Sequence, residues 1–268
     1  MTSDLLAAVV AASRRSAAWR EEYHDAWVDT AAEARTPRGE SFRASLRQAG
    51  VRIIAECKRR SPSRGVLRQD YDPVAIARGY RAAGAAAISI LTEPTFFDGA
   101  IAHLAAVHEA VPDVPLLRKD FIVSEYQLVE ARAAGADAVL LIVAALEQQA
   151  LETLVGRAQT LGLAALVEVH GEDELARAID AGATVVGVNS RNLRTLEVDL
   201  GVLDRMAARV PDDIIAVAES GLRTAGDLRR LRALRYDAFL MGERFMTEAD
   251  PGIALARLRE AADEGGHE

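Results

Sequence analysis

Arg132–Ile142, RAAGADAVLLI, runs from the end of a helix into an apolar strand through a single glycine. Glycine suits the left-handed turn that stops a helix. The apolar residues that close the stretch, Ala138–Ile142, fit a short buried strand. Similar stretches occur at Arg81–Ile90, RAAGAAAISI, and at Ile179–Val188, IDAGATVVGV. Arg232–Met241, RALRYDAFLM, keeps the shape without the glycine. A repeated helix-then-strand unit predicts parallel strands joined by helices.

Working outward, eight apolar strands centre near Ile53, Ile88, Leu116, Val139, Ala165, Val186, Ile215 and Phe239. Amphipathic helices are expected between them, among others at Asp72–Ala83, Glu125–Ala134, Glu172–Ala181 and Thr224–Leu234. Eight strands about 25 residues apart fit an α/β fold of the (β/α)8 barrel type. The competing architecture, a doubly wound open sheet, carries a glycine-rich dinucleotide loop after its first strand, and Ser61–Gly65, SPSRG, is no such loop.

The chain has 268 residues, half of them hydrophobic, and a barrel of this type takes about 250. The expected division is an N-terminal helical extension, residues 1–45, packed on a catalytic barrel, residues 46–268. Asp4–Ala34 is expected to be helical, and Thr36-Pro37-Arg38-Gly39 to be the break after it. The apolar run Leu5–Ala12 is preceded by Asp4 and followed by Arg14 and Arg15, the reverse of a signal peptide, and falls short of the roughly 20 residues that span a bilayer. A net charge of −8 with both signs scattered excludes a general nucleic-acid binder but allows a local cationic pocket. Cys57 is the only cysteine, so no internal disulfide can form, and a reducing, cytoplasmic setting is expected.

Barrel chemistry sits at the carboxyl ends of the strands. In Ile53–Gly65, IIAECKRRSPSRG, strand alternation turns Ile54, Glu56 and Lys58 to one face, so an acid and a base stand where the core opens. Burying both without a use costs several kcal/mol. The second strand ends in Ser89 and Thr92, with Phe96 and Phe97 beyond, and the third in Arg118, Lys119 and Asp120. Glu168 interrupts the valines of the fifth. Asn189 and Arg191 end the sixth, Glu219, Ser220 and Gly221 the seventh, and Gly242 and Glu243 the eighth. Carboxylates and lysines in one partly dry pocket are where proton-transfer groups are tuned. The loops after strands seven and eight are where barrels hold phosphate on backbone N–H groups, which marks Ser220, Gly221, Gly242 and Glu243.

Other polar residues carry blander readings. Cys57 has the opposite parity to Glu56 and is expected to pack outward against a helix. His103 and His108 are expected on the surface of a helix, and His170 at the rim of the mouth. No His, Cys, Asp or Glu spacing reads as a metal site.

Eight segments in order, Ile53–Gly65 together with Ile88–Gly99, Leu116–Leu128, Ala136–Val143, Leu166–Leu175, Gly187–Leu200, Val217–Arg223 and Ala238–Met246, resemble the indole-3-glycerol phosphate synthase family from about Phe42 onward. The resemblance implies a decarboxylating, dehydrating ring closure of 1-(2-carboxyphenylamino)-1-deoxyribulose 5-phosphate, with no metal or organic cofactor. It places the general acid at Lys119 and the general base at Glu168, with Glu56, Lys58, Asn189, Glu219 and Ser220 as the other polar catalytic positions. It places Ser61, Ser89 and Arg191, and the apolar Phe97, Phe121, Leu140, Leu193 and Leu240, against the substrate. The expected partner is this sugar phosphate, with no nucleic acid or membrane, and the chain is expected as a monomer or a weak dimer.

Attack of an electron-rich ring carbon on a ketone builds negative charge on oxygen, which an ammonium such as Lys119 can neutralise and protonate. Glu168 among valines is expected to gain basicity from desolvation. Lys58 can hold an anionic end of the substrate, and a phosphate grip keeps the flexible chain folded. Cys57, Arg60 and Ser190 depart from the family's usual aliphatic residue, alanine and asparagine, and the last two bear on substrate scope. Two rival readings remain, a synthase for a ring-substituted substrate and a barrel that binds sugar phosphate without turnover. An isomerase relative would need a first-strand cysteine facing an aspartate, and Cys57 has the wrong parity.

Overall fold

A computed structural model describes residues 4–23 and 26–264. Residues 1–3 and 24–25 of the expected extension, and 265–268 of the expected barrel, lie outside the described residues. Eight parallel strands close into a barrel: β1 Ile53–Cys57, β2 Ala87–Leu91, β3 Leu116–Lys119, β4 Ala138–Ile142, β5 Ala164–Val169, β6 Val185–Asn189, β7 Ile215–Glu219 and β8 Ala238–Met241, with β8 pairing back onto β1. All eight expected strands are present.

The glycine turns of the repeat are left-handed, with φ of 73° at Gly84, 102° at Gly135 and 81° at Gly182. The fourth copy takes the same turn with Arg235 at φ 72°, so this residue bears the strain that glycine avoids. Strand alternation sorts the side chains into two cores. Ile54, Leu117, Leu140, Leu166, Val217 and Leu240 point inward. Cys57 points outward into the strand–helix layer and is fully buried, as parity predicts.

Among the described residues, three helices precede the barrel: α1 Leu5–Glu22, α2 Ala26–Ala34 and α3 Gly39–Leu46. The irregular segment between α2 and α3 is the expected Pro-Gly break. Phe42 and Leu46 of α3 are fully buried in the inner core, so this helix closes the barrel floor. Gly39 permits that approach, because a Cβ there would lie 2.6 Å from the Ala164 backbone nitrogen. Asp4 caps α1, and its carboxylate also pairs with Arg194 in the loop after β6.

Five of the helices that wrap the barrel are α4 Pro73–Ala82, α5 Ile101–Ala110, α6 Glu125–Ala133, α7 Gln148–Thr160 and α8 Glu172–Asp180. His103 and His108 do lie on α5, yet both are half-buried rather than on the surface. The ring of His103 packs edge-on against Tyr71 at 5.7 Å. Among the described residues, no helix is long and apolar enough to cross a membrane.

Candidate active site

The inward parity of five strand ends brings polar side chains to a cavity of about 1070 Å³ at the carboxyl mouth. Glu56 and Lys58 arrive from β1 and its extension, Lys119 from β3, Glu168 from β5, Asn189 from β6 and Glu219 from β7. The apolar expectations Phe97, Phe121, Leu140, Leu193 and Leu240 line the same space, as do Ser61 and Arg191. The rings of Phe97 and Phe121 stand 6.2 Å apart. Ser220, Gly221, Gly242 and Glu243 line the β7 and β8 side, across the barrel from these two rings.

Ser89 is the exception. Its side chain has the inward parity but is fully buried and outside the cavity lining. Arg118 also stays out of the mouth, because alternation sends it outward while Lys119 points in.

Lys119 Nζ lies 3.0 Å from Glu168 Oε2 and 3.1 Å from Glu219 Oε2. Burial works against this ammonium, but Glu168, Glu219 and Glu56 outweigh it and hold Lys119 above the ordinary lysine range. The expectation for Glu168 is corrected. Burial does favour its neutral form, yet Lys119 and His170 prevail and keep the carboxyl below its usual value. The group that burial leaves raised is Glu219, pushed up to about 7, because Lys119 offsets only part of the desolvation and Glu168 adds to it. Glu56 pairs separately with Lys58 at 2.5 Å.

Two glycines make room for these acids. A Cβ on Gly187 would lie 2.0 Å from Glu219 Oε1, and one on Gly242 would lie 2.5 Å from Glu56 Oε1. Gly187→Ala therefore displaces the Glu219 carboxylate from Lys119, and kcat is expected to fall about tenfold or more, as for small misplacements of catalytic groups. Steady-state kinetics with a thermal melt check this, and an unchanged kcat would mean that the Glu219 position does not matter.

Glu219 also sets a pH dependence. The folded chain holds its proton more tightly than the unfolded chain, so its contribution to stability is greatest below the ordinary carboxyl pKa. That contribution declines as pH rises and is gone above about 7. Glu219→Gln should therefore gain Tm relative to the wild type between pH 5 and pH 8. A constant difference across that interval would contradict the shift.

The β7 loop turns through two successive left-handed residues, Ser220 at φ 68° and Gly221 at φ 72°. A non-glycine residue held there is the sort of local strain that binding loops store. Ser190 Oγ donates to the Ser220 carbonyl at 3.1 Å and so braces the loop. Glu243 does not present a free carboxylate to a phosphate. Arg64 holds it at 3.0 Å and Arg191 at 3.7 Å, with Arg223 at 3.9 Å, which gathers three guanidinium groups beside the loop. Arg64, Arg223 and the α1 residues Leu5, Leu6 and Val9 line the cavity without having been singled out in the sequence. The apolar run at the start of α1 is the one visible signal for the three α1 residues.

Arg60 pairs outward with Asp98 at 3.6 Å and does not line the cavity, while Ser190 is buried under the β7 loop. Neither departure therefore lines the cavity. Among the described residues, no cluster of three or more His, Cys, Asp or Glu is placed to hold a metal ion.

A closed parallel barrel whose carboxyl mouth gathers acid, base and anion-binding groups defines a (β/α)8 enzyme. More particularly, the chain belongs to the indole-3-glycerol phosphate synthase family, whose model matches residues 7–258. Indole-3-glycerol phosphate synthase 1 of Streptomyces coelicolor is 54% identical over 220 residues, covering 82% of this chain and 81% of that protein. The indole-3-glycerol phosphate synthase of Rhodococcus opacus is 50% identical over 248 residues, 92% of each chain. Among solved structures, 3-hexulose-6-phosphate synthase from Salmonella typhimurium shares the fold with a TM-score of 0.65 at 14% identity, over 79% of this chain and 98% of that one.

Proposed function

We infer that this chain closes the pyrrole ring of 1-(2-carboxyphenylamino)-1-deoxyribulose 5-phosphate, releasing carbon dioxide and water to give indole-3-glycerol phosphate. The observation that carries the reading is Lys119 held between Glu168 and Glu219, in a cavity apolar on one side and rich in guanidinium groups on the other. The apolar side, with Phe97 and Phe121, suits the aromatic ring. The β7 and β8 loops, with Arg64, Arg191 and Arg223 beside them, suit the phosphate.

Anchoring both ends bends the chain so that the ring carbon meets the ketone carbon. As that bond forms, electrons move to the ketone oxygen, where Lys119 supplies charge and a proton. Loss of carbon dioxide from the same ring carbon returns electrons to the ring. The hydroxyl then leaves as water, and Glu168 removes the proton whose loss restores aromaticity. Lys58, paired with Glu56 and set at the mouth, is positioned for an anionic end of the substrate, and Asn189 and Ser220 complete the polar wall.

The test is to give purified protein this sugar phosphate and follow indole fluorescence. Product formation is expected, and its absence with folded protein overturns the reading. Tight binding without turnover would instead favour a binding barrel. Because neither Arg60 nor Ser190 lines the cavity, the unsubstituted ring should be preferred in kcat/KM over ring-substituted analogues. We further place residues 1–45 as an extension of the barrel 46–268, and the enzyme as a cytoplasmic monomer. The buried lone Cys57 accords with a reducing setting.

A further inference from the structure

Glu168 Oε1 and His170 Nε2 are both buried, and neither has a hydrogen-bond partner among the described residues. They lie 3.7 Å apart. His170 follows Glu168 at the next inward position, just where β5 gives way to α8. Glu174, in the first turn of α8, accepts from the His170 backbone N–H at 2.8 Å and from the ring Nδ1 at 3.1 Å. That double contact places the ring proton on Nδ1 and leaves the Nε2 lone pair toward Glu168.

The three side chains form a graded path to solvent. Glu168 is 1% exposed, His170 18% and Glu174 25%, and the last two lie outside the cavity lining. Substrate seated in the cavity would cover Glu168 from the mouth, so a proton collected there needs another way out.

We propose that His170 and Glu174 form a proton exit behind Glu168, both of them positioning residues that act through it. The inference rests on Glu168 as the base. After Glu168 takes a proton from the intermediate, its Oε1–H passes that proton to the lone pair of His170 Nε2. The carboxylate is restored and an imidazolium is formed, its charge balanced by the Glu174 carboxylate. The imidazolium then releases its Nδ1 proton to solvent by way of the Glu174 carboxylate, and proton exchange with water returns the ring to the Nδ1–H tautomer. Closing 3.7 Å to hydrogen-bond reach needs only a small rotation of the Glu168 carboxylate.

The charged groups facing His170 are Glu168 from β5, Glu219 from β7 and Glu174 from α8, with Lys119 on the far side of Glu168. Burial opposes a charged ring, but the three acids hold the imidazole above its ordinary value. Transfer from Glu168 is therefore downhill. An imidazolium already loaded cannot accept, so kcat should fall as pH drops below the His170 pKa.

The experiment compares His170→Ala, His170→Asn and Glu174→Gln in the indole assay across pH. Both His170 variants should lose on the order of 10- to 100-fold in kcat, less than the 10²–10⁴ of a group touching substrate, with KM nearly unchanged. The acid limb of the kcat profile should vanish in both. Free imidazole should restore part of the rate of His170→Ala, and Glu174→Gln should move the acid limb to lower pH. Wild-type kcat in His170→Ala overturns the proposal, as does a loss that imidazole leaves untouched with the acid limb in place. Glu168→Gln separates the two layers of inference. If it keeps near-normal turnover, the base assignment fails, and if it is inactive while His170→Ala is unimpaired, the exit alone fails.

Discussion

Lys119→Met is expected to lower kcat about 10³-fold while substrate binding survives, since it removes both the proton donor and the charge facing the ketone oxygen. The side chain enters from β3 with the correct parity and is 14% exposed, so methionine fits the same path without opening a void. Binding should persist because the phosphate loops and the aromatic wall are built by other strands. The substitution also strips Glu168 and Glu219 of the cation lying 3.0 and 3.1 Å from them. Both carboxyls should then hold protons to higher pH, which costs the base its activity as well. Loss from Lys119→Met and Glu168→Gln should therefore not add, the double variant being little slower than either single one. Arginine is no conservative replacement, because its planar fork does not reproduce an ammonium set between two carboxylates. Single-turnover and steady-state measurements on folded protein decide. A kcat within tenfold of the wild type would remove Lys119 from the chemistry.

Much of this arrangement is legible from alternation and turn chemistry alone. Ile54, Glu56 and Lys58 share a face because strand residues alternate, and Cys57 is excluded by the same rule. The glycine turns at Gly84, Gly135 and Gly182 mark the strand starts, because few other residues adopt that backbone cheaply. Depth is not written in parity. Ser89 faces inward and pairs with the cavity-lining Glu56, yet it is fully buried and outside the lining, because its short side chain does not reach the open space that the longer glutamate does. Nor is a charge legible before its partners are known. Valines around Glu168 suggest a raised carboxyl, but Lys119, 49 residues earlier in the chain, reverses the direction. The contribution of α1 to the cavity is equally remote in sequence, and the Leu5–Ala12 run reads only as one face of a helix.

Arg118→Met is expected to cost about 3–5 kcal/mol of stability, the typical loss when one partner of a buried ion pair is removed. Its side chain is the largest fully buried one among the described residues, and the guanidinium is matched group by group. Nη2 lies 2.9 Å from Asp120 Oδ2 and 2.8 Å from Glu130 Oε2, Nη1 donates to the Gln127 carbonyl at 2.8 Å, and Nε donates to Thr92 Oγ1 at 3.1 Å. Asp120 in turn accepts from the Phe121 backbone N–H at 2.8 Å, and Glu130 accepts from Arg20 of α1 at 2.7 Å. The network thus ties α1 and α6 to the end of the strand that carries Lys119. Methionine fills much of the volume but leaves two buried carboxylates short of their shared cation, and that desolvation is the source of the loss. In a chain of this length the melting temperature should drop by about 10 °C. Adding Asp120→Asn and Glu130→Gln to Arg118→Met should recover part of the stability, whereas Arg118→Lys keeps the charge but loses the fork and should fall between. Denaturant melts of these variants carry the test. A loss below about 1 kcal/mol for Arg118→Met would show the network to be as dispensable as a surface pair.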